Sequence, residues 1–237
     1  MKTLLLSILI FSIPLSGAIT LAHTPTQPTP PTSTSTSLLI TLNNTTTIGN
    51  TVIAMCDSYN LNNPVASDSG SNSYTTDKDI NNGPAENTIA SAHIGTTSTT
   101  NTCTSGGSSP YWAPIIAEYS GVLASSPLDT TSSATGSGTA ITCGTLTTTN
   151  ANDLLIVTVQ LVGGATFSSP SSGFTIESQA TQPGYTASMM MDSVVSSTGS
   201  YSPSVTSNTS SSWVCIAAAY KAAAAPPAST NMMPMVQ

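Results

Sequence analysis

The chain has 237 residues, and only 5% of them are charged: three lysines, no arginine and ten acidic residues give a net charge of −7. Nucleic-acid and phosphate recognition depend on basic side chains, so this composition argues against both, and against an anionic membrane surface for the same reason. No segment approaches the roughly 20 apolar residues that span a bilayer.

Met1–Ala22 reads as a secretory signal peptide. Lys2 supplies a positive start, Leu4–Ile13 an apolar stretch ended by Pro14, and small residues stand in pairs at Ser16 and Ala18 or at Thr20 and Ala22. His23–Ser37, HTPTQPTPPTSTSTS, is built of Pro, Thr and Ser without apolar periodicity, which predicts an extended linker and a candidate for O-glycosylation. Residues 38–221 are the globular part, long enough for one good core or two small ones. Residues 222–237, AAAAPPASTNMMPMVQ, read as a disordered tail or second linker.

Within 38–221, short apolar runs alternate with Ser, Thr, Gly and Asn, the pattern of an all-β chain. Strands are predicted over 37–42, 51–59, 71–76, 88–94, 111–120, 139–148, 153–162, 173–179, 186–195 and 211–220. In DLLIVTVQLV, Leu155, Val157, Val159 and Leu161 share one face while Thr158 and Gln160 take the other. No segment carries a long helical stripe with caps. So many strands exceed one immunoglobulin-like unit of roughly 100 residues. The expectation is a single antiparallel β-sandwich of jelly-roll type. The alternative is two immunoglobulin-like sandwiches joined near Ala124–Leu128, against which no internal repeat is evident in the sequence. Cys56, Cys103, Cys143 and Cys215 permit two disulfides in three connectivities, or four small buried thiols, and their spacing does not fit zinc.

GNTVIAM (49–55), SDSGSNSYT (67–75), IAEYSGVLASSPLD (116–129), TLTTTNANDLLI (145–156), GF (173–174), VVSSTGSYS (194–202) and SSWVCIAAAY (211–220) occur in this order along the chain. In this the chain resembles a bacterial extracellular β-sandwich module found singly or in tandem in secreted and surface proteins. The resemblance implies a fold and an extracellular setting, and carries over no catalytic residue. Thr76–Ser109, rich in Asn and Thr, departs from the module's pattern, as do the four cysteines.

Few groups suggest chemistry. Nucleophilic hydrolysis needs a base beside its nucleophile, and the globular part has only His93, placed near a strand end. Glu118, Asp129, Asp153, Glu177 and Asp192 could supply the carboxylate pair of a glycoside hydrolase. Plainer roles fit each: Asp129 bonding turn amides, Asp153 satisfying N–H groups ahead of a strand, Glu118 as a hydrogen-bond anchor on the sheet's outer face. Asp77, Asp79, Asn81 and Glu86, around Gly83, form an oxygen-rich stretch that is the candidate calcium site, in a register unlike an EF-hand. Tyr111, Trp112 and Tyr185, with Tyr59, are aromatics near loops on which a sugar ring could stack. Trp213 and Met189–Met191 read as core. The function expected is a non-catalytic structural or adhesion module with weak binding of glycans or other surface proteins. A secreted carbohydrate-active enzyme and a calcium-dependent lectin are the alternatives.

Overall fold

The computed structural model describes residues 18–28, 35–60, 63–106 and 111–224. The signal segment up to residue 17, residues 29–34 of the linker and the tail from residue 225 lie outside the described residues.

The described residues form strands and turns, with no helix. The strands of the first half are β1 (Thr20–Leu21), β2 (Ser37–Thr41), β3 (Thr51–Tyr59), β4 (Val65–Asp68), β5 (Thr75–Asn82), β6 (Ala85–His93), β7 (Thr100–Thr104), β8 (Tyr111–Trp112) and β9 (Ile115–Ser120). Those of the second are β10 (Leu128–Thr142), β11 (Leu146–Thr147), β12 (Leu154–Val162), β13 (Phe167–Ser168), β14 (Thr175–Gln182), β15 (Thr186–Val194), β16 (Ser200–Tyr201) and β17 (Ser204–Tyr220).

Two large antiparallel sheets form a β-sandwich. One runs β1-β9-β3-β6-β5 with β8 beside β3; the other runs β10-β17-β12-β15-β14 with β13 beside β17. Their facing sides share a core in which Ile53, Met55, Ile89 and Ile115 meet Leu154, Ile156, Met190 and Ile216. Each sheet is also covered on its outer face. The small sheet β2-β7-β4 encloses Val52, Ala54, Cys56 and Trp112 against the first. The β11-β16 pair and Phe167 help enclose Leu155, Val157, Val159 and Leu161 against the second. A strand buried on both faces must be apolar on both, which is why β3 and β12 are near-continuous apolar runs.

The two strand orders are the same order. First, last, third, sixth and fifth strands of one half match those of the other, and the outer pair β2-β7 matches β11-β16. The registers agree in detail. Ile53 corresponds to Ile156, Ile89 to Met190 and Tyr119 to Tyr220. In both halves the edge hairpin carries a one-residue register shift, at Asp77 between Thr76 and Lys78 and at Glu177 between Ile176 and Ser178. The halves also meet reciprocally. The Tyr119 hydroxyl donates to Asp192 at 2.9 Å and the Tyr220 hydroxyl donates to Asp77 at 2.8 Å. Where the connection leaves the first half, the Leu123 amide donates to the Lys221 carbonyl and the Ala223 amide to the Gly121 carbonyl. The chain is thus a tandem repeat folded as a pseudo-two-fold pair. The repeat boundary falls where the two-sandwich alternative placed its joint.

Ordered structure extends beyond residues 38–221 at both ends. Ile19 is 6% exposed in the core, and Thr20–Leu21 pairs with Ser120 and Tyr119. Beyond it, Thr26 and Ile116 exchange two backbone hydrogen bonds of 2.8 and 2.9 Å. The free edge of β9 presents unpaired N–H and C=O groups, and residues 19–28 satisfy them. Val122 and Ala222 likewise bridge, so the ordered part runs past residue 221. The sequence expectation was closest for β3, β12 and β15. It placed a strand over 71–76 where residues 71–74 are irregular and the strand starts at Thr75, and an oxygen-rich calcium-binding stretch where β5 and β6 form a hairpin through Gly83, whose φ is +66°.

All four cysteines pair, Cys56 with Cys103 and Cys143 with Cys215. The first joins the large first sheet to its covering sheet, the second ties β17 to the segment after β10. Such bridges persist in oxidising, extracytoplasmic compartments.

Candidate functional site

An open groove of about 720 Å³ lies where the end of β6 and the start of β5 meet the connection between the repeats. Its walls are hydroxyl-rich, with Thr75, Thr76 and Ser91 facing Ser125 and Ser126, and with Asp77 and His93 among them. The turn at one rim is fixed by Asn72, which accepts from the Gly95 and Thr96 amides and donates to Asp68. Gly70 is required there, since a Cβ would meet the Thr96 carbonyl oxygen at 2.6 Å. The register shift at Asp77 turns its carboxylate inward to the Tyr220 hydroxyl, and Ser91 bonds it as well. Burial raises the Asp77 pKa, and those two hydrogen bonds oppose the rise. The His93 Nδ1 is buried without a hydrogen-bond partner.

A second feature lies at the other end of β6. Tyr111 and Tyr185 stack with ring centroids 3.4 Å apart, and Tyr59 meets them at 6.4 and 6.0 Å. The sequence-predicted aromatics Tyr111 and Tyr185 are therefore brought together, each covering one face of the other. Hydrogen bonding between the two hydroxyls raises the Tyr111 pKa. Trp112 does not belong to this group. It is 0% exposed, and its indole N–H donates to the Ser35 carbonyl at 2.8 Å, so its ring is core and offers no stacking face. Its alternation with Tyr111 on β8 puts the two on opposite faces.

The four candidate calcium ligands do not converge. Asp77 points inward, whereas Asp79 and Asn81 pair with Thr88 and Glu86 on the other face. Asp79 accepts from the Thr88 hydroxyl, and Glu86, buried, accepts the Asn63 amide at 2.8 Å. The bulge breaks the alternation that the sequence offers. Among the described residues no group of three or more His, Cys, Asp or Glu side chains is placed to hold a metal.

Glu118 anchors a loop, as its sequence context suggests. It is 7% exposed, and its Oε1 accepts the Thr47 amide at 2.8 Å and the Asn50 side-chain amide at 2.6 Å. Because both bonds end on one oxygen, glutamine can accept them too. Glu118→Gln is expected to change stability by less than about 1 kcal/mol, whereas Glu118→Ala should cost about 2 to 3 kcal/mol by leaving two donors unmet, read as urea midpoints.

Asp129 plays the matching part in the second repeat. It accepts from the Thr149 amide at 2.6 Å, the Thr149 hydroxyl, and the Asn150 side chain at 2.7 Å. These bonds outweigh the effect of burial and hold its carboxyl below the usual range. Asp153, expected to bond freed amides, bonds none of them. Asp129 already satisfies that loop, and the Asp153 side chain faces the Asp129 carboxylate instead. Burial, then the hydrogen bond to Asp129 and its negative charge, push Asp153 up to about 7, with Lys221 acting the other way.

Between the sheets, next to the apolar core, lies a polar layer that the sequence did not foretell. Asp57, 0% exposed, accepts from Ser188 at 2.5 Å, Thr186 at 3.2 Å and the Ala113 amide at 3.2 Å. Burial raises it to about 6, against those hydrogen bonds. Asn87 donates to Thr158 and Gln160 to Thr186. The other candidate carboxylates, Glu177 and Asp192, face each other beside Tyr119, where burial raises both.

No family model, curated protein or solved structure matches this chain. The groove was not legible in the sequence, because its walls come from the irregular segment 71–73, the start of β5, the end of β6 and the segment 124–128. Nothing in their local pattern links them. Only the reciprocal packing of the repeats puts them side by side.

Proposed function

We propose that the protein is a non-catalytic extracellular adhesion or structural module whose polar groove binds carbohydrate. The groove carries this reading: about 720 Å³ lined by hydroxyls, one carboxylate and one imidazole suits a neutral polyhydroxylated ligand fixed by hydrogen bonds. The signal-like start, the Ser/Thr-rich low-charge composition and the two disulfides support the setting. Among the described residues no helix is long and apolar enough to cross a membrane.

The rival enzyme reading needs two carboxylates set roughly 5 to 9.5 Å apart across an open cleft. Asp77 is the sole carboxylate among the described residues lining the groove, and it is engaged by Tyr220 and Ser91. The other acid pairs, Asp129 with Asp153 and Glu177 with Asp192, are in direct contact.

A glycan array probed with the purified chain tests the proposal. Binding to neutral glycans is expected, weakened tenfold or more by Thr76→Ala and His93→Ala and unchanged by Tyr111→Ala. Loss through Tyr111→Ala alone would move the site to the tyrosine cluster, and an array without any signal would leave only a structural role. Release of reducing sugar from a polysaccharide panel would overturn the non-catalytic reading.

A further inference from the structure

An oxidant reaching this protein from solvent meets few reactive groups. Thiols and thioethers are the usual first targets. Among the described residues, however, every cysteine is paired, Met55 and Met189–Met191 are 0% exposed, and Trp112 and Trp213 are buried. What stays within reach is phenol. Tyr59, Tyr111 and Tyr185 are partly exposed and form one cluster. Tyr74 and Tyr201, also partly exposed, stand outside it, their hydroxyls donating to Asp68 and to the Ser197 carbonyl.

Within the cluster, two rings are set for a bond between them. Tyr111 stands on β8 in the first repeat, and Tyr185 in the turn between β14 and β15 in the second. Their rings lie face to face, with centroids 3.4 Å apart and planes 13° from parallel. Aromatic pairs usually settle offset, at roughly 4.5–7 Å, so this near-superposition comes from the chain segments that carry the rings. The hydrogen bond between the hydroxyls points both rings the same way. The carbons flanking one hydroxyl therefore lie over those flanking the other. Tyr59 is tilted by 60° and 68° to its two neighbours and presents no such face.

We propose that Tyr111 and Tyr185 are a cross-linking site, joined as dityrosine when a haem peroxidase acts on the protein with hydrogen peroxide. Each phenol gives up one electron and its hydroxyl proton, which leaves two phenoxyl radicals. These couple through one ring carbon next to each oxygen. The hydrogens on those carbons then move to the oxygens, and both rings regain aromaticity. The two electrons and two protons reduce one peroxide, whose O–O bond breaks to give two waters. Each disulfide lies within a single repeat, so this bond would be the first covalent tie between the two beyond the chain itself. The site is separate from the glycan groove, which lies at the opposite end of β6.

The test treats the purified full chain with a haem peroxidase and hydrogen peroxide. Blue dityrosine fluorescence is expected, with an intact mass lower by two hydrogen atoms and a protein that stays monomeric on denaturing gels. Digestion should release one peptide pair joined through Tyr111 and Tyr185. Because the partners are already oriented, the yield per chain should not fall as the protein is diluted. Tyr111→Phe and Tyr185→Phe keep the rings and remove one hydroxyl, so each should lower the fluorescence about tenfold or more. Tyr201→Phe should leave it unchanged. Absence of the fluorescence, a yield that survives Tyr111→Phe, a linkage mapped to another tyrosine, or coupling only between separate chains overturns the proposal.

Discussion

Replacing Cys143 and Cys215 by serine is expected to destabilise the protein by about 4 kcal/mol, with a similar loss for Cys56 and Cys103. The bridges close separations of 72 and 47 residues. In the chain-entropy account such loops are worth roughly 4 kcal/mol each, and the dependence on length is weak, so the two bridges should rank almost equal. The physical setting adds to the figure. Cys143 and Cys215 are 0% exposed within the outer core of the second sheet, where a serine hydroxyl would be buried among Leu155, Val157 and Trp213. Urea unfolding of each double variant, and of the wild type with and without reductant, measures the effect. Midpoints unmoved by reductant would mean that the cysteines act as thiols, the alternative that spacing alone left open.

Truncating Tyr119 or Tyr220 to alanine should cost about 3 to 5 kcal/mol apiece, whereas phenylalanine should cost about 1 to 2. Both rings are at most 1% exposed and fill the core shared by the two repeats, so alanine opens a cavity. Phenylalanine keeps the ring but removes the donor to Asp192 or Asp77, whose carboxylates stay largely buried. Burial, then the neighbouring carboxylate, raises the pKa of both tyrosines, so both remain neutral donors across the physiological range. Because the residues are equivalent under the pseudo-two-fold, the paired variants should fall within about 1 kcal/mol of each other in denaturant melts. A difference of more than about 2 kcal/mol between the two sides would show that the repeats do not share the interface equally.

These residues also show what a sequence can disclose. β12 and β15 were readable because each buries both faces, which forces a run such as LLIVTVQLV or three consecutive methionines, and Met190 indeed packs opposite to Met189 and Met191. The role of Glu118 was readable from its place in a strand with one outer face. β5 was not. TTDKDINN has poor strand propensity, and it forms a strand only because β6 offers it a partner and a turn at Gly83. The calcium candidate failed at a single bulge, a feature of pairing that no one-dimensional pattern encodes. The repeat itself stayed hidden, since the halves retain register and topology while exchanging Asn50 for Asp153 and Ser91 for Asp192.

The short connection between Ser120 and Leu128 has a kinetic meaning. Two separate copies of such a repeat would have to find each other by diffusion, and their association would depend on how much protein was present. Joined through this segment, each repeat meets the other at an effective concentration on the order of millimolar, whatever the dilution outside. The polar layer at Asp57 and Gln160 belongs to that interface and is assembled at the same effective concentration. However dilute the protein becomes, its two repeats stay paired because each is tethered to the other.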